Sequence, residues 1–395
     1  MYVSGWNKML ITYKTEIKPN PEQVIKIKQT MGVCRFIYNF YIVENQKAYK
    51  NNTPFITAFS FSKWLNNEFI PNNPDYQWIK DVSSKSVKQS IVCAERAFKK
   101  FFKKEAKFPK FKKKNKSNVK MYFVRNNKGD CLCERHRIKI PTLGWIKLKE
   151  KGYIPTSKDG YTVKSGAISY KAGRYYISCL VDIEDHPKQT LKPFGLGIDL
   201  GLEKFAVISN GNVYKNINKT SKIKQLEKKL KREQKCLSRK CTQLKNNKKG
   251  ESTHKNIDKQ KLRVQKIHLK LSNIRTDYIN KIINELVKTK PAYIVIENLN
   301  ISGMIKNRHL SKSISNQKFY EFRQKLFNKC NFYGIELRIA DRFYPSSKTC
   351  HCCGSIKKDL KLSDRIYKCS TCGEIIDRDL NASLNLRDTT SYKIA

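Results

Sequence analysis

Three short segments place acids where a structural role explains them poorly. The first runs from Gly195 to Gly201, Gly-Leu-Gly-Ile-Asp-Leu-Gly, and contains Asp199. Read as a strand, it sets Leu196, Ile198 and Leu200 on one face and Gly197, Asp199 and Gly201 on the other. A carboxylate flanked by glycines on a central strand suggests room left for something bulky, such as a hydrated ion and a phosphate. The second acid, Glu297, closes the apolar run Tyr293-Ile-Val-Ile and so sits at the C-terminal edge of a predicted buried strand. The third lies in Asp377-Arg-Asp379-Leu-Asn381-Ala, where either Asp could instead cap a helix. Together, two acids on strands and one at a helix start describe a site for two Mg²⁺ ions. Mg²⁺ takes hard carboxylate oxygens and keeps several waters, so few protein ligands suffice. Two ions about 3.5–4 Å apart activate water and stabilise the leaving oxygen of a phosphodiester. The predicted ligands are Asp199, Glu297 and Asp379, with Asp377 as the alternative to Asp379. Arg378 is a phosphate contact or a structural pair.

The cysteines point to a second metal. There are 13, an odd number, and Met1–Lys8 has no charged stretch leading into an apolar one. That reads as a cytosolic chain without a secretory signal, in which disulfides are not expected. Four cysteines form two Cys-x-x-Cys-Gly knuckles, Cys350/Cys353 and Cys369/Cys372, with 15 residues between them. That spacing predicts one closed, structural Zn²⁺ site, with each Gly letting the backbone curl under the ion. His351 and Cys352 lie inside the first knuckle and are not expected to ligate. Cys131-x-Cys133-x-x-His136 is a further ligand-like spacing, better read as a Cys pair on a short strand or loop.

Charge identifies the partner. Over 395 residues, 81 Lys and Arg against 33 Asp and Glu leave a net +48, while 39% apolar content still provides for packed cores. A fold this basic repels itself unless a polyanion neutralises it, and nucleic acid is the obvious one. A membrane surface is the weaker candidate, and no apolar run approaches 18 residues, so no transmembrane helix is expected. The densest basic stretch, Ala97–Lys120, interleaves five Phe with eleven Lys. Lys99, Lys100, Lys103, Lys104, Lys107, Lys110, Lys112, Lys113 and Lys114 are its predicted phosphate contacts, with aromatic faces between them for exposed bases.

These groups need elements to hold them. Met9–Lys18 alternates as a strand, and Glu22–Tyr49, Phe59–Asn66 and Ser84–Phe102 read as helices, the last capped by Ser83 or Ser84. From Arg137 to Ile183 the pattern turns to short strands with Gly turns, predicting a small antiparallel barrel. Glu184–Pro193 reads as a linker. Then come strands at Gly195–Leu200, Phe205–Ser209 and Val213–Tyr214, with Asn210-Gly211 as a hairpin turn. Ile223, Leu230, Leu237 and Leu244, then Ile257, Val264, Leu271 and Tyr278, repeat every seven residues. They predict an antiparallel helical hairpin joined by the polar stretch Asn246–Thr253. Strands at Ala292–Glu297 and Ile335–Ile339 flank a helix at Gln317–Tyr333, and Asp379–Leu386 forms a last short helix. This order is that of a ribonuclease-H-like fold with a zinc insertion before the final helix, within an α+β multidomain chain.

At these motifs the sequence resembles the TnpB family of transposon-encoded RNA-guided DNA endonucleases, relatives of compact type V CRISPR effectors. GIDLG around Asp199, IENL around Glu297, DRDLNAS around Asp379 and the paired knuckles carry the resemblance, together with Thr12–Tyr41 and Phe108-Pro-Lys-Phe111. It implies a domain plan: a wedge strand at 1–20, a helical recognition domain at 21–120 and a wedge β-barrel at 121–187. The RuvC-like nuclease would follow at 194–345 and 375–392, with the zinc-binding part at 346–374. It further implies a monomeric ribonucleoprotein in the cytoplasm, with a guide RNA from the transposon end and double-stranded target DNA as partners. Cleavage beside a short flanking motif would be catalysed by Mg²⁺, with Zn²⁺ structural. A nuclease-silent repressor and a strand-transferring transposase are the competing readings. Retention of all three acids argues against the repressor.

Overall fold

Alternation makes Met9–Lys18 a strand (β1), with Thr15 and Ile17 buried and Lys14 and Lys18 exposed. Pro19 and Pro21 end it, and Asn20 caps the next helix, α1 (Pro21–Lys50), through a reciprocal capping box with Gln23. The structure is a computed structural model that describes residues 9–114, 117–183, 190–246, 254–361 and 363–395. The chain divides into two units, residues 1–186 and 187–395.

In the first unit, α1 packs on α4 (Ser84–Phe102), whose Val87, Ile91, Ala94 and Phe98 make one apolar stripe. Between them α2 (Ala58–Trp64) runs through a π-helical turn (Leu65–Phe69) into the short α3 (Ile70–Asn72). Ser83 is the N-cap of α4, without a side-chain hydrogen bond to the helix. The remaining strands are β2 (Met121–Val124), β3 (Arg137–Ile140), β4 (Gly144–Leu148), β5 (Thr162–Lys171) and β6 (Arg174–Ile183). They pair entirely antiparallel with β1 in the order β2-β5-β6-β1-β4-β3 around one apolar core. Gln23 fastens α1 to this sheet, donating to the carbonyls of Leu143 and Trp145 at 2.9 Å each. The sequence predicts a small antiparallel barrel; the structure has the antiparallel strands and a shared core, but as a sheet with two ends. Among the described residues no ladder joins β2 to β3, so strand pairing does not close.

The second unit is built on β7 (Lys192–Leu200), β8 (Lys204–Ile208) and β9 (Val213–Lys215). Gly211, at φ +88°, makes the turn between the last two. The hairpin helices α5 (Ser221–Asn246) and α6 (His254–Lys288) run antiparallel, and Gln260 donates across to Glu233. Residues 247–253 of the predicted connection and 184–189 of the predicted linker lie outside the described residues. Next come β10 (Pro291–Ile296), α7 (Ile301–Lys306), α8 (Ser311–Gln317), α9 (Phe319–Tyr333) and β11 (Glu336–Ala340). Hydrophobic spacing predicts one helix over Gln317–Tyr333. The chain instead breaks at Lys318, which adopts φ +57° between α8 and α9. The two-stranded β12 (Ile366–Lys368) and β13 (Ile375–Asp377), then α10 (Arg378–Asp388) and β14 (Tyr392–Ile394), complete the unit.

Its main sheet has the order β14-β11-β10-β7-β8-β9, with β11, β10 and β7 mutually parallel and the other ladders antiparallel. Leu196, Ile198 and Leu200 face the core formed with α6 and α9. The opposite face of β7 receives α10. Among the described residues no helix is long and apolar enough to cross a membrane.

Candidate active site and metal centre

The glycines beside Asp199 make room for protein, not for an ion. A Cβ placed on Gly197 would lie 1.9 Å from the carbonyl oxygen of Ser383 and 2.5 Å from the amide nitrogen of Arg387, both in the backbone of α10. One on Gly195 would lie 2.1 Å from the ring of Tyr293. The expectation of a glycine-lined space for a hydrated ion is therefore corrected. Gly197 lets the last helix press onto β7, and that contact brings the start of α10 towards Asp199.

The register sets the second acid. Ile198 of β7 pairs with Ile296 of β10 in a parallel ladder, so Asp199 and Glu297 follow side by side. Ser346 Oγ donates to Glu297 Oε1 at 3.0 Å. Asp379 enters from the first turn of α10. The Asp199 carboxyl is pushed well above the usual carboxylate range, first by desolvation and then by the charges of Glu297 and Asp379. Desolvation also raises Glu297, against the hydrogen bond from Ser346. Neither Asp199 nor Glu297 has an ion-pair partner among the described residues. Among the described residues, the three carboxylates do not form a group placed to hold an ion as they stand, whereas the four knuckle cysteines do.

The two aspartates of the last motif have different surroundings. Asp377 is the N-cap of α10: its Oδ1 accepts from the amides of Asp379 (3.0 Å) and Leu380 (3.1 Å). Its Oδ2 takes Lys204 Nζ at 2.8 Å, while the same ammonium reaches Asp379 Oδ2 at 3.3 Å. Both Asp377 oxygens are thus engaged within the protein. Lys204, on β8, was missed by sequence reasoning, although it lies five residues after Asp199 across a tight hairpin. Arg378 Nη1 donates to the carbonyls of Lys361 (3.0 Å) and Asp364 (3.3 Å), and its charge acts on Asp199.

The four knuckle cysteines converge, their sulfurs within 4.8 Å of one another, with Cys350–Cys372 and Cys353–Cys369 at 3.6 Å. Zn–S bonds of about 2.3 Å in a tetrahedron demand S···S edges of about 3.8 Å, so the donor set fits such an ion. Gly354 and Gly373 adopt φ +75° and +74°, the curled backbone that the knuckles need. Ser355 Oγ lies 3.1 Å from both Cys353 and Cys369 and is the leading cause pulling their thiols down, Cys369 to about 5. Cys352 is exposed and His351 faces Asp388 at 3.8 Å, neither in the cluster. Cys131 and Cys133 are buried in the first unit's sheet core. They do not join His136 in a ligand-spaced group.

The basic segment has two characters. Lys100, Lys103, Lys104, Lys107, Lys110, Lys113 and Lys114 are exposed, and Lys99 is exposed beside Glu95 at 3.0 Å. Lys112 is different. Its backbone is clamped by Asn39, and its ammonium sits 3.7 Å from the centre of the Tyr38 ring, half-buried. In this structure it is a packing residue. Phe101, Phe102, Phe108 and Phe111 remain partly exposed, while Phe98 is buried. In the second unit, a cavity of about 320 Å³ opens beside Glu297, with Asn298, Tyr320, Arg323 and Arg342 in its lining. Neither arginine has a carboxylate partner among the described residues.

Comparison with known proteins agrees along the chain. A family model described as "Probable transposase" matches residues 178–308, one for a "Cas12f1-like, TNB domain" matches 319–386, and a "Helix-turn-helix domain" model matches 9–53. That last segment folds here as β1 and the single helix α1. An Escherichia coli protein, "Putative RNA-guided DNA endonuclease InsQ", is 30% identical over 96% of this chain and 92% of its own length. A Streptomyces pristinaespiralis protein of the same description is 27% identical over 95% and 88%. A TnpB-like protein of Acanthamoeba polyphaga mimivirus is 34% identical over 31% of this chain and 24% of its own. Among solved structures, the "Cryo-EM structure of the Cas12f1-sgRNA-target DNA complex" shares the fold, with a TM-score of 0.50 at 15% identity, covering 98% of this chain and 100% of that one. Since the E. coli relative matches this chain almost from end to end, the chain belongs to the TnpB family.

Proposed function

We propose that the chain is an RNA-guided DNA endonuclease that hydrolyses target DNA at Asp199, Glu297 and Asp379. The observation that carries this reading is Asp199 itself. It lies beside Glu297, feels Asp379, is desolvated, and has no ion-pair partner in a chain of net +48. Such a group is a hard-oxygen donor suited to a divalent cation. Ligands sharing one Mg²⁺ at about 2.1 Å stand at most about 4.2 Å apart. Asp199, whose carboxyl feels both Glu297 and Asp379, is the residue able to face two ions. Bound there, two Mg²⁺ ions would supply Lewis acidity to the scissile phosphate and the attacking water. The chain's own part is to hold three acids on two adjacent strands and a helix start. Arg323 and Arg342 offer unpaired guanidinium groups to a nucleic-acid phosphate beside Glu297.

The remaining assignments follow from this. The β7–β11 sheet covered by α6, α9 and α10 reads as a RuvC-like, ribonuclease-H-type nuclease spanning 194–345 and 375–392. Residues 346–374 are its zinc-binding insertion, with Zn²⁺ on Cys350, Cys353, Cys369 and Cys372. Residues 1–20 and 121–187 serve as the wedge, and 21–120 as the helical recognition domain carrying the exposed lysines. The partners are a guide RNA from the transposon end and double-stranded DNA, in a monomeric cytoplasmic ribonucleoprotein. The test is Asp199→Ala in the complex purified with its RNA. Wild type with Mg²⁺ and a matched plasmid should give a double-strand break. The variant should bind RNA and DNA as before and leave the plasmid intact. Cutting by the variant at the wild-type rate removes the site. Wild-type binding without cutting, across a library of flanking sequences, favours the silent repressor, and joined strands favour the transposase.

A further inference from the structure

We propose that the first zinc knuckle is a positioning element for the nuclease carboxylates, acting through Ser346, Asn381 and Asn385; this rests on the assignment of Glu297 and Asp379 as Mg²⁺ ligands. Ser346 opens the segment that leads into Cys350. Its hydroxyl donates to Glu297 Oε1 at 3.0 Å. Its carbonyl accepts from Asn385 Nδ2 of α10 at 2.7 Å. The same amide also donates to the Thr349 carbonyl at 2.7 Å, so both its hydrogens are committed. Asn381, one turn earlier on α10, donates to that carbonyl at 2.7 Å, and its Oδ1 accepts from the His351 amide at 3.0 Å. Cys350 stands between these two anchored residues.

Ser346, Asn381 and Asn385 are 4%, 0% and 5% exposed. Their polar groups therefore have no water to fall back on, and each lost bond leaves a buried orphan. The knuckle cannot shift without disturbing one of two things. Towards β10 it holds the Glu297 carboxylate through a single hydroxyl. Towards α10 it holds the helix whose first turn carries Asp379, two residues before Asn381. The two acids that flank Asp199 are thus referenced to one rigid segment, which the thiolate cluster closes. An ion in the four-cysteine site would set their separation, and with it the affinity of the carboxylates for Mg²⁺, rather than only steer substrate strands.

The experiment uses the ribonucleoprotein and the isosteric deletion Ser346→Ala, with Ser346→Thr restoring the hydroxyl. The Mg²⁺ concentration for half-maximal cleavage should rise roughly 10-fold in the Ala variant, the scale of a hydrogen bond to a charged group. It should return towards wild type with Thr, while zinc content, RNA binding and the KM for DNA stay unchanged. A readout independent of turnover is Fe²⁺-directed hydroxyl-radical scission of the polypeptide. Cuts mapped near residues 199 and 297 should weaken in Ser346→Ala and persist in Ser346→Thr. Cys372→Ser should raise the Mg²⁺ requirement in the same sense, and the double variant should fall short of the summed effects, because both act on one path. A wild-type Mg²⁺ requirement in Ser346→Ala overturns the proposal, as does a Cys372→Ser effect confined to the KM for DNA. If Asp199→Ala still cuts, the underlying site assignment has failed instead. An inactive Asp199→Ala beside an unaltered Ser346→Ala removes this inference alone.

Discussion

Gly197→Ala is the sharpest probe of how the fold builds the site. The added methyl would stand 1.9 Å from the Ser383 carbonyl oxygen and 2.5 Å from the Arg387 amide nitrogen. Real Cβ atoms essentially never approach within 3.0 Å, so the first contact alone requires a shift of 3.0 − 1.9 = 1.1 Å. Both obstacles are helix backbone, which cannot swing aside as a side chain can. Asp379 lies four residues before Ser383, so moving the helix by that amount carries the carboxylate with it. A misplacement of about 1 Å at a reacting centre can cost about 100-fold in rate. Overpacking of this kind costs about 1–3 kcal/mol. In a unit of this size each kcal/mol is worth about 2–4 °C of melting temperature. The assay is the first-order rate of matched-plasmid cleavage at saturating Mg²⁺, with a thermal melt of the same preparation. Gly211→Ala is the control: its Cβ meets nothing within 4 Å, but φ +88° strains the β8–β9 turn. It should lower the melt without a comparable loss of rate. If Gly197→Ala cleaves within about twofold of wild type and melts unchanged, the account of α10 seated on β7 through a missing side chain is refuted.

Other substitutions separate roles that share a motif. Asp377→Ala should lower the melting temperature by the loss of a helix cap, about 1 kcal/mol, whereas Asp377→Asn keeps an acceptor for the Asp379 and Leu380 amides and should stay close to wild type. Asp379→Asn should instead abolish cleavage with little change in the melt, and the reverse pattern would exchange the two assignments. Lys112→Ala should cost about 1 kcal/mol of stability by removing the ammonium over Tyr38, leaving the salt dependence of RNA binding alone. Lys113→Ala and Lys114→Ala should do the opposite, each reducing the slope of log affinity against log salt by about 1 where it touches a phosphate; equal slopes for all three would return Lys112 to the nucleic-acid surface.

The contrast between these residues shows what the sequence carries. Long periodic elements are legible: β1 spans Met9–Lys18 and α4 spans Ser84–Phe102, as alternation and helical spacing require. The zinc knuckles are legible because four thiolates and two curled glycines form a complete local specification. The three-residue β12, β13 and β14 are not, since they are too short to show a period and exist through their pairing partners, whereas the equally short β9 is marked by the Asn210-Gly211 turn before it. The break at Lys318 is hidden for a different reason, because nothing in a lysine announces φ +57°. Gly197 was legible as a place where a side chain is forbidden. Which neighbour forbids it depends on Ser383 of α10, 383 − 197 = 186 residues later in the chain. Ser346 belongs to the same class: its place before the knuckle is visible, but its bond to Glu297 spans 49 residues and is fixed only by the packed fold.

Electrostatics gives the site its meaning beyond any motif. With 81 cationic side chains against 33 acids, a carboxylate here has no shortage of potential partners. Glu16, Glu227, Asp377 and Asp388 each have one or more within 4 Å. Asp199 and Glu297 are half-buried and have none, and their protonation is favoured by desolvation. The charges of Arg378 and Lys204 pull Asp199 partway back down, without an ion pair to it. Instead Lys204 is committed to Asp377 and Asp379, and Arg378 to the carbonyls of Lys361 and Asp364. A buried charge without a counter-charge pays its lost hydration in full, so desolvation drives both acids towards the neutral, protonated form. On the proposed reading, divalent ions would take the place of those protons and supply the positive charge that the two acids do not receive from an ion pair within the protein.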